Sequence, residues 1–238
     1  MTINFELLSL GIQAQFTYQA SPSVILVGQC GVGKNKGGVE PIAAALRKAL
    51  VYIPIPRYEP ADFNGYPVPC HETKTVMQYP PAWAKTVADN GASNFVIFLD
   101  ELSDADSKTL AACHGMLQDG HIADLNVSGA AFVCAMNPPE ISTTGGTISH
   151  GIGNRSFIIN WEPARLAIAK QMRDGCFVTP EPVALPADWK DGIQASMMIV
   201  GAYLCNRPQH LRISMEDLLK RGENIWHPAH TDRSWEHF

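Results

Sequence analysis

An α/β fold, with a five-stranded parallel sheet between helices and a small C-terminal α-helical region, is what the sequence predicts. Three observations carry the prediction. Apolar, β-rich runs at 23–27, 95–99 and 130–136 are unbroken by charge, as strands covered on both faces must be. Each run is followed at once by residues able to carry chemistry: a glycine-rich loop, the pair Asp100-Glu101, and Asn137. Beyond Trp161 strand patterns stop and helical ones dominate.

The chain has 238 residues, 46% hydrophobic and 17% charged, with a formal net charge of −5. That length buries a proper interior without staples. The acidic balance disfavours nonspecific nucleic-acid binding, which needs a clustered excess of Lys and Arg to displace counterions. Six cysteines are scattered singly, with no C-x-x-C pair, and read as reduced, mostly buried thiols. The N-terminus, M-T-I-N-F-E-L-L-S-L, lacks the basic region of a signal peptide, and no apolar stretch is long enough to span a bilayer. Both point away from the membrane and to the cytoplasm.

Residues 1–22 form an apolar lead-in containing Phe5, Leu8, Ile12 and Phe16, which either lines a purine pocket or packs on the sheet edge; packing is favoured. Ser23–Val27 is the first strand. After the loop a helix is required, but Gly37, Gly38 and Pro41 occupy its first turns. Either it is kinked, or a separate turn precedes a regular helix beginning at Pro41 and running through I-A-A-A-L-R-K-A-L. A second strand is expected at 51–55, then a Pro- and Gly-punctuated surface loop, then a short helix from 80 to 90 closed by Gly91. The third strand, 95–99, leads to a helix capped by Ser103 or Asp104 and reaching about Leu117, with a turn at Asp119-Gly120. The fourth strand is 130–136. Residues 143–153, rich in Gly, Ser and Thr, read as a mobile segment, and Ser156–Asn160 as the fifth strand. Helices follow at 163–172, 188–206 and 214–221. A domain boundary near 161 divides a 1–160 α/β core from a 161–238 helical lid.

The chemistry centres on V-I-L-V-G-Q-C-G-V-G-K-N-K. Gly28, Gly31 and Gly33 let backbone N–H groups close on phosphate oxygens without side-chain clash, and Lys34 adds a cation. The segment Gly28, Gln29, Cys30, Gly31, Val32, Gly33, Lys34, Asn35 fits G-x-x-x-x-G-K-[ST] except at Asn35, which replaces the hydroxyl that normally ligates Mg²⁺. Ligands of open α/β sheets bind beyond the carboxyl ends of the strands. There Asp100 is placed to hold Mg²⁺, Glu101 to polarise an attacking water, and Asn137 to hold that water or the γ-phosphate. Arg155 precedes a strand, so it lies at the opposite edge and is expected to act in trans on a neighbouring subunit.

The order of phosphate loop, D-E strand, N-P-P-E after a strand, G-I-G-N-R-S-F and helical tail resembles the AAA+ ATPases, a P-loop NTPase family, specifically the MoxR-like branch. The resemblance covers nearly the whole chain. It implies that Asn137 is sensor 1, Arg155 the arginine finger, and Arg233, in T-D-R-S-W, sensor 2; residues 61–67 match an insert facing a ring's central channel. It further implies ATP and Mg²⁺ as cofactors, with Asp100 and Asn35 at the metal. The expected partners are other copies of the chain in a ring, hexameric by expectation, and a protein client, often one with a von Willebrand factor A domain. The function so implied is ATP hydrolysis coupled to remodelling or chaperoning that client. The alternative is a weakly or non-hydrolysing nucleotide-binding scaffold subunit with a degenerate Mg²⁺ site at Asn35.

Overall fold

The computed structural model describes residues 3–18, 22–138, 141–142, 150–153, 155–162, 173 and 181–207. The helices expected at 163–172 and 214–221 therefore lie outside the described residues, as does Cys176.

The lead-in forms a helix, α1 (Ile3–Thr17). Phe5, Leu8 and Ile12 recur at helical spacing and are buried, so one stripe of α1 faces the core. The expected packing role holds, but α1 lies across a face of the sheet rather than along its edge. Next come β1 (Ser23–Val27), a π-helical turn (Asn35–Val39), α2 (Glu40–Ala45) and β2 (Ala49–Pro54). Of the two sequence alternatives, the separate first turn is the one adopted, and Pro41 sits in the first turn of α2, where its missing N–H costs nothing. The helix is shorter than expected, because the chain turns at Leu46 to Lys48 and enters β2 two residues early.

The punctuated segment is more regular than the sequence suggests. A 3₁₀ turn (Ile55–Arg57) and α3 (Ala61–Asn64) precede an antiparallel hairpin of β3 (Tyr66–Cys70) and β4 (Thr75–Tyr79). Pro67 and Pro69 are two residues apart and so share one side of the strand, where a two-stranded ladder asks for no N–H. Proline punctuation thus marks an isolated hairpin here, not a loop. Then follow α4 (Ala82–Asp89), β5 (Phe95–Asp100) and a 3₁₀ turn (Leu102–Asp104). Helix α5 (Ser107–Asp119) is capped by Asp106, whose carboxylate accepts from Lys108 N and Thr109 N, rather than by Ser103 or Asp104. Gly120 ends it at φ 62°, and a Cβ there would lie 2.5 Å from Ser128 Cα, so the position admits only glycine. A two-residue hairpin, β6 (His121–Ile122) and β7 (Leu125–Asn126), leads to β8 (Ala131–Met136). The described end of the Gly/Ser/Thr segment is a helical turn, α6 (His150–Gly153), and β9 (Ser156–Asn160) follows. The C-terminal helix α7 (Trp189–Asn206) matches the expected 188–206.

Five strands form one parallel sheet in the order β2-β5-β8-β1-β9. Its period-two alternation divides the core in two. Ile25, Val27, Ile97, Leu99, Cys134 and Met136 face α3, α4, α5 and α6. Val24, Leu26, Val96, Phe98, Val133 and Ala135 face α1 and α2. The amide of Gln15 caps the start of β8: its Oε1 accepts from Phe132 N at 2.7 Å and its Nε2 donates to Phe132 O at 3.2 Å. This satisfies the backbone just before the β1 ladder begins at Val24 and Val133. Among the described residues no helix is long and apolar enough to cross a membrane.

Among the described residues the five cysteines are free, and "mostly buried" needs correcting for them: Cys30 and Cys205 are exposed and Cys70 is half-buried, while Cys113 and Cys134 are buried. Burial pushes the Cys113 thiol up to about 12 and raises that of Cys134 too. A raised folded-state pKa means the unfolded chain loses its thiol proton first. The stability is fully present below the free-thiol pKa of about 8.5 and is withdrawn above it, by roughly 1.4 kcal/mol per thiol per pH unit. Urea midpoints should therefore fall between pH 8.5 and 10, and the slope should be shallower in Cys113→Ala; parallel slopes would exclude this thiol as the cause.

Candidate functional site

Strand β1 lies between β8 and β9, so the chain leaves it towards β2 on one side and returns at β9 on the other. Such a reversal opens a crevice at the carboxyl ends of the strands. A pocket of about 380 Å³ occupies it, lined by Cys30 through Lys36 together with Asp100, Glu101, Met136 and Asn137. Loop, acidic pair and asparagine, with Lys34 and Asn137 lying 103 residues apart in sequence, are thus brought together.

Gly31 and Gly33 take φ values of 76° and 78°, which turn the loop's amides inward at no steric cost. Lys34 Nζ donates to Gly28 O at 2.5 Å, Gln29 O at 3.1 Å and Asn137 Oδ1 at 3.2 Å. Burial lowers the Lys34 pKa below the usual lysine value, against an opposing pull chiefly from Asp100. Its ammonium therefore sits in a partly desolvated place where an anion would be strongly held.

The sequence signal missed Trp161, which braces the loop from behind. Its N–H donates to Val27 O at 2.6 Å, and its Nε1 to Val32 O at 3.3 Å. A Cβ on Gly28 would lie 2.5 Å from Trp161 O, and one on Gly38 2.9 Å from Trp161 Cη2. Gly38, a helix breaker by propensity, is therefore what lets the indole reach the π-helical turn. Such turns absorb an extra residue within a helix.

At the end of β5, Asp100 Oδ1 accepts from Glu101 N at 3.0 Å, and Oδ2 accepts from the Tyr52 hydroxyl at 3.1 Å. Tyr52 reaches over from the neighbouring strand, and its pKa is raised by burial and by the Asp100 charge. No motif flagged it; only the β2–β5 register brings it to Asp100. Ser103 was expected to cap a helix. Instead its buried hydroxyl accepts from Asn137 N at 3.2 Å, fixing the backbone of the asparagine. Glu101 is exposed and has φ 59° and ψ 40°, the left-handed region that side chains avoid.

The residues present fit a hard cation. Asn35 Oδ1 is buried without a hydrogen-bond partner, an oxygen lone pair that is expensive to leave unused. Asn35 and Asp100 line the same pocket. No cluster of three or more His, Cys, Asp or Glu occurs among the described residues. One carboxylate and one neutral oxygen is the sparse protein contribution that Mg²⁺ takes when phosphates and water complete its shell.

Arg155 stands apart. It immediately precedes β9, whose Ser156 pairs with Ser23 at the start of β1. The pocket lies beyond the far end of β1, four residue steps or about 13 Å along the strand. Arg155 Nη1 instead contacts His114 Nε2 on α5 at 3.2 Å. Arg233 lies outside the described residues.

A parallel sheet with a Gly-x-x-x-x-Gly-Lys loop at its reversal point, an acidic strand end and a neighbouring asparagine defines a P-loop nucleotide-binding domain. Residues 23–143 match the family model described as AAA domain (dynein-related subfamily), and the chain belongs to that family. No curated protein matches the chain. Among solved structures, one from Cytophaga hutchinsonii ATCC 33406, described as a candidate ATPase, is similar over 74% of this chain and 53% of its own, at 11% identity and a TM-score of 0.43. The chain spans about half the length of that protein.

Proposed function

We propose that the chain is an ATP hydrolase of the MoxR-like AAA+ branch, working as a self-assembled ring that remodels or chaperones a protein client. The observation that carries the reading is the convergence of Lys34, Asp100, Glu101 and Asn137 on one pocket beside a glycine loop. In this reading the loop amides and Lys34 bind the β- and γ-phosphates of ATP. Asp100, held by Tyr52, and Asn35 would hold Mg²⁺, which when bound would supply charge neutralisation at the phosphate oxygens. Glu101 accepts the proton of the attacking water, and Asn137 orients that water or the γ-phosphate. Arg155 serves the neighbouring subunit's nucleotide, and Arg233, in a lid spanning 161–238, closes over the chain's own. The client, a von Willebrand factor A-domain protein by resemblance, and a cytoplasmic setting belong to the same proposal.

A second reading is a weakly hydrolysing scaffold subunit, favoured by the amide at position 35. The two separate by Mg²⁺-dependent ATP turnover measured across protein concentration, for the wild type and Asn35→Thr. Turnover per chain should rise with concentration, and Asn35→Thr should lower the Mg²⁺ concentration for half-maximal rate severalfold, because a hydroxyl is the more compact ligand. ATP binding without turnover in either protein supports the scaffold. Failure to bind ATP, or binding indifferent to Lys34→Ala, sinks both.

A further inference from the structure

Three successive carbonyls of the glycine loop are held by groups that do not line the pocket. Val32 O accepts from Trp161 Nε1 at 3.3 Å, Gly33 O from Gly37 N at 2.8 Å and Lys34 O from Val39 N at 3.1 Å. The last two donors are backbone amides of the π-helical turn that follows the loop. The first comes from a side chain 129 residues away. In a trans peptide the C=O and the following N–H point in opposite directions, and the described residues contain no cis bond. Holding a carbonyl therefore aims the next amide: the bond to Val32 O sets the Gly33 N–H, and the bond to Gly33 O sets that of Lys34. An indole suits the task, because its Nε1–H only donates and so can hold nothing but an acceptor. Trp161 also has little room to swing. It is 8% exposed, its own N–H extends the β1–β9 ladder one step to Val27 O, and its ring lies against Gly38.

We infer that Trp161 is a positioning residue for phosphate binding: its indole N–H fixes the Val32–Gly33 peptide so that the Gly33 N–H faces the polyphosphate of a bound nucleotide. The inference rests on the reading of the loop as a phosphate site. A peptide left free to turn would bring its carbonyl oxygen towards the anion and lose the amide. Aiming one hydrogen bond in advance is worth about 3- to 10-fold in affinity.

Two variants of the full chain test it from opposite directions. Trp161→Phe keeps a ring beside Gly38 and loses the N–H. Gly38→Ala keeps the N–H and pushes the ring aside, since the added Cβ would lie 2.9 Å from Trp161 Cη2 and 3.0 Å from Cζ2. Titration calorimetry with ATP and with inorganic tripolyphosphate should show each variant binding both ligands about 3- to 10-fold more weakly. The factor should be the same for the two, because tripolyphosphate has no base or ribose. In turnover, KM for ATP should rise by that factor while kcat stays within about twofold, as for a contact made equally in ground and transition states. Tripolyphosphate affinity unchanged in a folded variant, a loss confined to ATP, or a fall in kcat at constant KM would overturn the assignment. Urea midpoints establish that each variant is folded; if one is not, the other decides. If the wild type binds neither ligand, the phosphate reading of the loop fails before Trp161 is altered, and the inference falls with it.

Discussion

Arg155→Ala should lower ATP turnover by about 10³- to 10⁵-fold while leaving nucleotide affinity within about twofold. The asymmetry follows from placement. Arg155 lies at the amino end of β9, at the sheet edge opposite the pocket, so it makes no ground-state contact with its own chain's phosphates. On the proposed trans reading, its charge would act when a second copy brings it to a transferring phosphoryl group, where charge spread over the equatorial oxygens is stabilised by a guanidinium fork. Binding measured by fluorescent-nucleotide titration and kcat measured at saturating protein should therefore part company. A parallel fall in affinity and rate would instead mean that Arg155 holds the fold together through α5. The urea midpoint of the variant distinguishes that case, because a fold held together through Arg155 would show a marked fall in it.

The sheet was legible because a strand buried on both faces leaves an unbroken apolar run, and β1, β5 and β8 are such strands. Ser156–Asn160 was found to the residue. The edge strand β2, partly exposed, carries a weaker signal, and its start was placed two residues late. The placement of the loop glycines, Lys34, Asp100, Glu101 and Asn137 was legible because each lies at or just past the carboxyl end of a strand. What supports them was not. Trp161 meets Val32 and Gly28 across more than a hundred residues, Ser103 meets Asn137 across the β5–β8 seam, and Tyr52 meets Asp100 through strand register alone. No local pattern encodes those distances. Gly38 is the instructive residue: by helix propensity it looks like a defect, and only the indole packed on it gives it a reason.

Glu101→Gln should lower kcat by about 10²- to 10⁴-fold, the range for loss of a positioned general base, with ATP binding retained. The amide keeps the size of the carboxylate but cannot take the proton of an attacking water. The backbone makes the case stronger than the motif does. Glu101 sits at φ 59° and ψ 40°, a conformation costing a side chain roughly 1–2 kcal/mol that glycine avoids. Its N–H is tied to Asp100 Oδ1, so the twist that carries Glu101 into the pocket is the same one that orients the adjacent carboxylate. Glu101→Gly separates strain from chemistry. Relief of the left-handed strain is offset by about 0.5–1 kcal/mol of extra unfolded-state freedom, so the urea midpoint should stay near that of the wild type while turnover falls as far as in Gln. A glycine variant that is markedly less stable would show that the Glu101 side chain is there for packing. One that is equally stable and inactive would mean that the strained backbone is kept for what the carboxylate does.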